Sequence, residues 1–318
     1  MDKRGFTSYL EAKNLAPKTI FCNTENVKLF LRWAKTCAEK EEIQITKPDI
    51  LKYLEYLKNG RKQQNVTRKL NLAALNHYFN FLYQTEQITQ NPCLFLKIRG
   101  TKKKTLYNTY TPEELEQLFD NYYQLFVRNY VYSHIPKNRQ EQSALSRERN
   151  ALILSILIYQ GIRAGEMEKI ETDDLDLRKA TIKIRGVKRG KDRVLPLKAA
   201  QTGLLMHYLQ NIRPQFLEYH ATDSDKLFLA LPAINKKGKN KNSLRGVFNT
   251  ITEQLKTIDK QFLNVLQIRA SVITFWLKTE GLRKTQYMAG HRYVSSTEEY
   301  LPNNLDGLID DINKMHPF

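Results

Sequence analysis

Cysteine is scarce in this chain: three occur among 318 residues, Cys22, Cys37 and Cys93. An odd number at those spacings fits neither a disulfide framework nor a zinc site, and points to a reducing compartment, the cytoplasm. No stretch approaches the roughly eighteen uninterrupted apolar residues of a membrane-spanning helix. The opening residues, MDKRGFTSYLEAKNLAPKT, carry no apolar run after their charges, so no signal peptide is expected. No GxxxxGK[ST] loop is present, so no nucleotide-driven step is indicated. No Asp/Glu cluster offers a two-metal site. The one acidic run, ETDDLDL, reads as a turn after a helix, and neither metal nor other cofactor is expected. Aromatic stacking motifs of the RNA-recognition kind are missing, as are internal repeats and low-complexity tracts.

What is present is positive charge. Lys and Arg number 51 against 33 acidic residues, a net charge of +18. That balance favours an anionic polymer as partner, usually nucleic acid, over a merely soluble basic protein. Residues 1–110 carry 20 basic and 9 acidic side chains, so the first third is the more cationic part. The cations are spread through apolar-periodic segments and not gathered in a tail, which describes a folded cationic surface.

The apolar spacing divides the chain. Over residues 1–105 the pattern is helical throughout: Val27, Phe30, Leu31 and Ala34 share one stripe, and Leu72, Leu75, Phe79 and Leu82 another. No strand pattern occurs, so a small helical bundle is expected. Arg68 and Lys69, at the start of its last long helix, are candidate contacts to nucleic acid. Residues 106–112 read as a linker. The polar stretch GTKKKTLYNTYTPEEL ends in a capping box, Thr111 with Glu114 and Pro112 at the first helical position. Lys102, Lys103 and Lys104 in it are either phosphate contacts or a solvated tether. Residues 113–318 form the second domain. VYSHIPKNRQEQSALSRER reads as a loop or ragged helix. A buried helix follows, broken at Gly161, then a short helix. ATIKIRGVKRGKDRVLPL alternates at each end about a tight basic turn, a β-hairpin. The fold class is mainly α with a small β element.

Five ionisable residues occupy structured places. Arg163 follows the glycine break. Lys188 sits in the hairpin turn. Arg269 lies in an otherwise apolar helix beside Ile268, Val272 and Ile273. His291 follows Gly290, which ends a helix. Tyr300 lies nine residues later, in a helix marked by Ser295 and Glu298 as another capping box. Each has a mild explanation: a cap, a solvated lysine, an arginine paired with a carboxylate such as Glu166, one tyrosine of seventeen. Together they are what metal-free phosphoryl transfer needs. Two arginines can grip non-bridging oxygens bidentately. A Lys or His can donate to the leaving oxygen or the phosphoryl group. A tyrosine hydroxyl is a competent nucleophile.

In that order and spacing the chain resembles the tyrosine recombinases, the phage integrase family that includes the Xer recombinases. YQGIRAGEMEKIETDDLDL resembles the family's first box, RGVKRGKDRVLPL its hairpin, and LQIRASVITFWLKTEGLRKTQYMAGHRYVSSTEEYL its second box through to the nucleophile. The resemblance implies Arg163 and Arg269 as the two catalytic arginines, Lys188 as the lysine with Lys191 the neighbouring candidate, His291 as the late histidine and Tyr300 as the nucleophile. It also implies a SAM-like helical core-binding domain before an α+β catalytic domain, a double-stranded DNA partner, and a homo-tetramer on two DNA sites. No arm-binding domain is expected ahead of the helical one, which leans towards a simple recombinase or a mobile-element enzyme. The tail, with Leu305, Leu308 and Ile309, docks either on a neighbouring subunit or on its own. One position departs from the pattern: the second box usually has His three residues before its Arg, and here it is Leu266. Gln267 or Asn264 supplies a substitute, or the reaction runs on five residues, or the protein is impaired. Its rivals are a type IB topoisomerase and a recombinase-derived regulator that binds without cleaving.

Overall fold

The computed structural model describes residues 2–37, 39–100, 107–187, 190–220, 224–231 and 244–301. Lys102, Lys103, Lys104, Lys188 and the tail with Leu305, Leu308 and Ile309 lie outside them. The chain divides into two compact units, Met1–Thr105 and Leu106–Phe318.

The first unit is helical. Its elements are α1 (Lys3–Ala12), α2 (Pro17–Cys37), α3 (Lys47–Asn59) and α4 (Asn65–Gln84). Asp2 caps α1 by accepting the Gly5 N–H at 3.0 Å. The stripes read from the sequence meet in one core: Val27, Phe30 and Ala34 of α2 lie against Ile50, Tyr53 and Leu57 of α3 and Leu72, Leu75, Phe79 and Leu82 of α4. Leu31 is only partly buried and sits at the margin. Burying these side chains is the main stabilising term for so small a unit.

The second unit opens with α5 (Pro112–Tyr123). Its capping box is reciprocal: Thr111 Oγ1 accepts the Glu114 N–H at 3.2 Å, and Glu114 Oε2 accepts the Thr111 N–H at 2.8 Å. The next element, α6 (Lys137–Gln160), decides between the loop and the ragged helix expected across VYSHIPKNRQEQSALSRER: the stretch is helical from Lys137 onward. Gln140 Nε2 reaches back and donates to the carbonyls of Tyr132 and Ile135 at 3.2 and 3.0 Å, which ties the first turn of the helix to the segment before it despite the polar sequence. The later turns of α6 are buried from Arg149 to Ile158. The helix ends at Gly161, whose φ of 54° is left-handed. Then comes α7 (Ala164–Met167).

The sheet has three antiparallel strands in the order β1 (Leu175–Asp176), β2 (Thr181–Ile184), β3 (Arg193–Pro196). Only β2 and β3 were expected. β1 comes from the acidic run, where two residues pair Leu175 with Ile182 and Asp176 with Thr181; so short an element leaves no alternation to read. The connection from β2 to β3 runs from Arg185 to Asp192, longer than a tight turn. In β3, Arg193 and Leu195 point inward while Val194 and Pro196 face out. The chain continues through α8 (Ala199–His207), α9 (Arg213–Glu218), α10 (Arg245–Ile258), α11 (Val265–Met288, broken at Gly281 with φ 73°) and α12 (Ser295–Glu298). Helices α6 and α11 pack together through Leu157, Val272 and Ile273 in the unit's core.

The segment leading into α5 is tied to α11. Gln267 Nε2 donates to the Asn108 carbonyl at 2.8 Å, and the Tyr110 N–H donates to Ser271 Oγ at 2.9 Å. Gln267 and Ser271 flank Arg269 on the same helix, so α11 is held on both sides of that residue.

Candidate active site

Two glycines set the site. At Gly161 a Cβ would lie 2.8 Å from Val272 Cγ1, so α6 can end against α11 only without a side chain there. At Gly290, φ is 65° and a Cβ would lie 2.4 Å from Arg193 Nη1. The carbonyl of Gly161 then accepts from Arg269 Nη1. Arg269 Nη2 donates to the Ala289 carbonyl at 2.8 Å and to His291 Nε2 at 3.0 Å. One guanidinium thus joins the end of α6 to the turn after α11. Arg269 is 3 % exposed. Burial pushes its pKa down to about 10, and it remains a cation.

Because arginine cannot accept, Nε2 of His291 is the acceptor of that bond, and the proton of the neutral ring sits on Nδ1. Nδ1 lies 2.9 Å from Thr297 Oγ1 and donates to it. Thr297 is fully buried, and its carbonyl accepts the Tyr300 N–H at 3.0 Å. The rings of His291 and Tyr300 stack with centroids 5.9 Å apart and planes 18° from parallel. Burial first, then the charges of Arg269, Arg163 and Arg193, drives the His291 pKa down to about 3.

A stability consequence follows from the sign of that shift. Unfolded, the residue takes up its proton near the ordinary value of 6.5; folded, it does so only near 3. In that window the unfolded chain binds more protons, so His291 favours folding fully above the ordinary value and less as pH falls. The slope is up to about 1.4 kcal/mol per pH unit. Urea denaturation of the full chain at stepped pH between about 7 and 5 should show it, and His291→Gln should flatten it.

Glu166, fully buried, collects the remaining cations. It accepts the Arg163 N–H at 2.9 Å and Arg163 Nη1 at 3.0 Å. Arg193 grips it with two bonds of 3.2 and 3.0 Å. Arg269 Nη1 stays 4.0 Å away, so the pairing of Arg269 with Glu166 considered from the sequence is a long one. Burial alone would raise the Glu166 carboxyl; the bonds and charges of Arg193, Arg163 and Arg269 outweigh it and hold it below the ordinary carboxylate value.

Arg163, Gly290, His291, Tyr293 and Ser296 line a cleft of about 480 Å³ together with Gly190 of the hairpin connection. The Lys191 N–H donates to the Gly290 carbonyl at 3.3 Å, which fastens that connection beside the cleft; the Lys191 side chain is exposed. Among the described residues no cluster of His, Cys, Asp and Glu could hold a metal ion.

The structure therefore brings together Arg163, Arg269, His291 and Tyr300. Arg68 and Lys69 belong to the first unit. Lys69 is exposed, whereas Arg68 is partly buried and donates to the Leu54 carbonyl at 3.3 Å and to Asn65 Oδ1 at 2.7 Å. Two local expectations change. Tyr300 lies just past α12, which has four residues and no side-chain cap; Ser295 is inside it and Val294 precedes it. Neither substitute for Leu266 is free. Asn264 Oδ1 caps α11 by accepting the Leu266 N–H at 2.9 Å, and Gln267 Oε1 accepts the Leu263 N–H at 2.8 Å. Leu266 itself is 54 % exposed. Arg193 and Thr297 were not singled out from the sequence. For Arg193 the signal was available, since it shares the inward register of Leu195.

The profile of the phage integrase family matches residues 126–305, and that of the phage integrase N-terminal SAM-like domain matches residues 4–89. The chain is 27% identical to tyrosine recombinase XerC of Anoxybacillus flavithermus (strain DSM 21510 / WK1), over 98% of this chain and 96% of the relative. It is 25% identical to TnP I resolvase of Bacillus thuringiensis, over 94% of this chain and 95% of the relative. Among solved structures, the XerH site-specific recombinase bound to palindromic difH substrate, in a post-cleavage complex, superposes with a TM-score of 0.67 at 18% identity, covering 96% of this chain and 82% of that one. That likeness is one of fold.

Proposed function

The chain belongs to the phage integrase family and is a tyrosine-type DNA recombinase, and from that premise we propose how its residues divide the work. Tyr300 Oη gives up its proton to solvent and attacks a DNA phosphorus. The P–O5′ bond breaks, leaving a 3′-phosphotyrosyl link, and Lys188 protonates the departing 5′-oxygen. Arg163 and Arg269 bind the non-bridging oxygens as charge develops on them. His291 holds the Arg269 fork in place and presents its ring to Tyr300. A 5′-hydroxyl from a partner strand then attacks the phosphotyrosine and restores the diester. The observation that carries this reading is that Arg163 and His291 line one cleft, with Arg269 bonded to His291 behind it and Tyr300 stacked on His291.

The first unit holds the duplex through its cationic surface, with Arg68, Lys69, Lys102, Lys103 and Lys104 as its candidate contacts. The working form is a cytoplasmic homo-tetramer on two sites. The role is integration, excision or inversion of a mobile element. One second reading has an observation of its own: Leu266 places an exposed apolar side chain where the resemblance expects histidine, which favours a regulator that binds and does not cleave.

The test is covalent trapping. The full-length protein is incubated with fragmented DNA from its source and quenched with detergent, and the attached DNA is sequenced. A recurring sequence, with a nucleotide remnant mapped to the Tyr300 peptide by mass spectrometry, is the expected result. Specific binding without any adduct would replace this reading by the regulator.

A further inference from the structure

Three arginines surround one buried carboxylate, and they are not equivalent. A carboxylate accepts about four hydrogen bonds, and Glu166 already makes four. Oε1 takes Arg163 Nη1 and Arg193 Nη1, at 3.0 and 3.2 Å; Oε2 takes the Arg163 N–H and Arg193 Nη2, at 2.9 and 3.0 Å. Arg269 is left at 4.0 Å, outside hydrogen-bond range. Arg193 cannot serve the cleft itself. Its side chain is wholly enclosed, its Nε donates to the Met288 carbonyl at 2.7 Å, and it lies so close under Gly290 that no Cβ fits there. Arg163, by contrast, keeps 35 % of its side chain exposed at the cleft.

We infer that Arg193 is a positioning residue: it fills Glu166, so that the charges of Arg163 and Arg269 stay directed at the phosphate. Without it, two acceptor sites open on a buried anion. Arg163 is already bonded to that anion, and Arg269 is within about an ångström of bonding distance. Either would turn inward, and the cleft would lose part of its positive charge. Glu166 is needed in turn to orient Arg163, so the pair sets both the direction and the strength of the phosphate grip. This inference rests on reading the cleft as the phosphate site.

The experiment uses the full chain and a nicked duplex carrying the sequence recovered by trapping, made with either a phosphodiester or a methylphosphonate at the scissile position. Methyl in place of a non-bridging oxygen removes the charge that the arginines neutralise. Arg193→Met should slow adduct formation on the phosphodiester by roughly 100-fold, the scale of one lost electrostatic donor. On the methylphosphonate the ratio of wild type to variant should shrink to under about tenfold. The double substitution Arg193→Met with Glu166→Gln removes the competing anion, and should recover at least about tenfold on the phosphodiester. If Arg193→Met does not fold, as judged by thermal melting, Arg193→Lys keeps the charge with a single contact and should show the same compression in smaller measure. Equal losses on both substrates in a folded variant, or a wild-type rate, would overturn the inference and leave a plain structural ion pair. Wild-type protein that forms no adduct at all would bring down the cleavage reading, and this inference with it.

Discussion

Tyr300→Phe is expected to abolish covalent attachment to DNA, by roughly 10⁴-fold or more as for other lost nucleophiles, with the dissociation constant for duplex within about twofold. The substitution removes one oxygen and little else. Phenylalanine retains the ring that stacks on His291 with centroids 5.9 Å apart, and the backbone N–H still reaches the Thr297 carbonyl. The residue is only partly buried, so stability should stay within about 0.5 kcal/mol. Loss of the adduct with binding and melting unchanged therefore reports chemistry and not folding. The control is the tyrosine that lines the cleft, Tyr293, which is 52 % exposed. Adducts that persist in Tyr300→Phe and vanish in Tyr293→Phe would move the nucleophile seven residues upstream. Leu266→His belongs in the same series. Because the side chains of Asn264 and Gln267 are committed to capping α11 and to the Leu263 and Asn108 backbone, a histidine at 266 would add a polar group that none of these neighbours supplies. A rise in the rate of adduct formation is the expected outcome, measured on the same nicked duplex.

The residues whose structural places were legible in the sequence have a common physical character. Gly161 and Gly290 are forced by left-handed backbone and close approach, and each sits beside the candidate site, so a glycine shortly followed by an ionisable side chain was informative. Arg269 stood out because an arginine among Ile268, Val272 and Ile273 must find acceptors. What stayed hidden depends on contacts distant in sequence. Arg193 looked like another cation in a basic hairpin; its meaning comes from Glu166, 27 residues away, and from Met288, 95 residues away. Thr297 is one hydroxyl among many until the His291 ring turns towards it. The early turns of α6 carry a polar sequence, and the helix there is held by Gln140 and by Arg147, which donates to the Phe126 carbonyl at 3.3 Å. β1 is two residues long, and pairing with β2 alone defines it. In the first unit, by contrast, the helical spacing already named most of the core, because burial there follows directly from periodicity.

Arg269→Lys is expected to damage both rate and stability, although charge is preserved. The guanidinium makes three bonds in three directions, to Gly161, Ala289 and His291, and an ammonium on a flexible stem cannot reproduce that fork. Acceptors left without a partner in a buried site cost about 1–3 kcal/mol each, so the melting temperature should fall along with the rate. The rate itself should drop by about 10²–10³ in the folded fraction, the range for a lost electrostatic donor in a closed site. Separating the two effects requires a second reporter, and His291 provides one. Its depressed pKa owes most to burial and next to the charge of Arg269. Arg269→Met removes that charge and frees Nε2, so the His291 titration followed by NMR should move up from about 3 towards, and remain below, the ordinary value of 6.5. Arg269→Lys keeps the charge, so the titration should move less. A His291 titration that is the same in wild type and Arg269→Met would mean that the two side chains are not coupled in solution. The arrangement of His291 and Thr297 behind Tyr300 would then have to be held by packing alone.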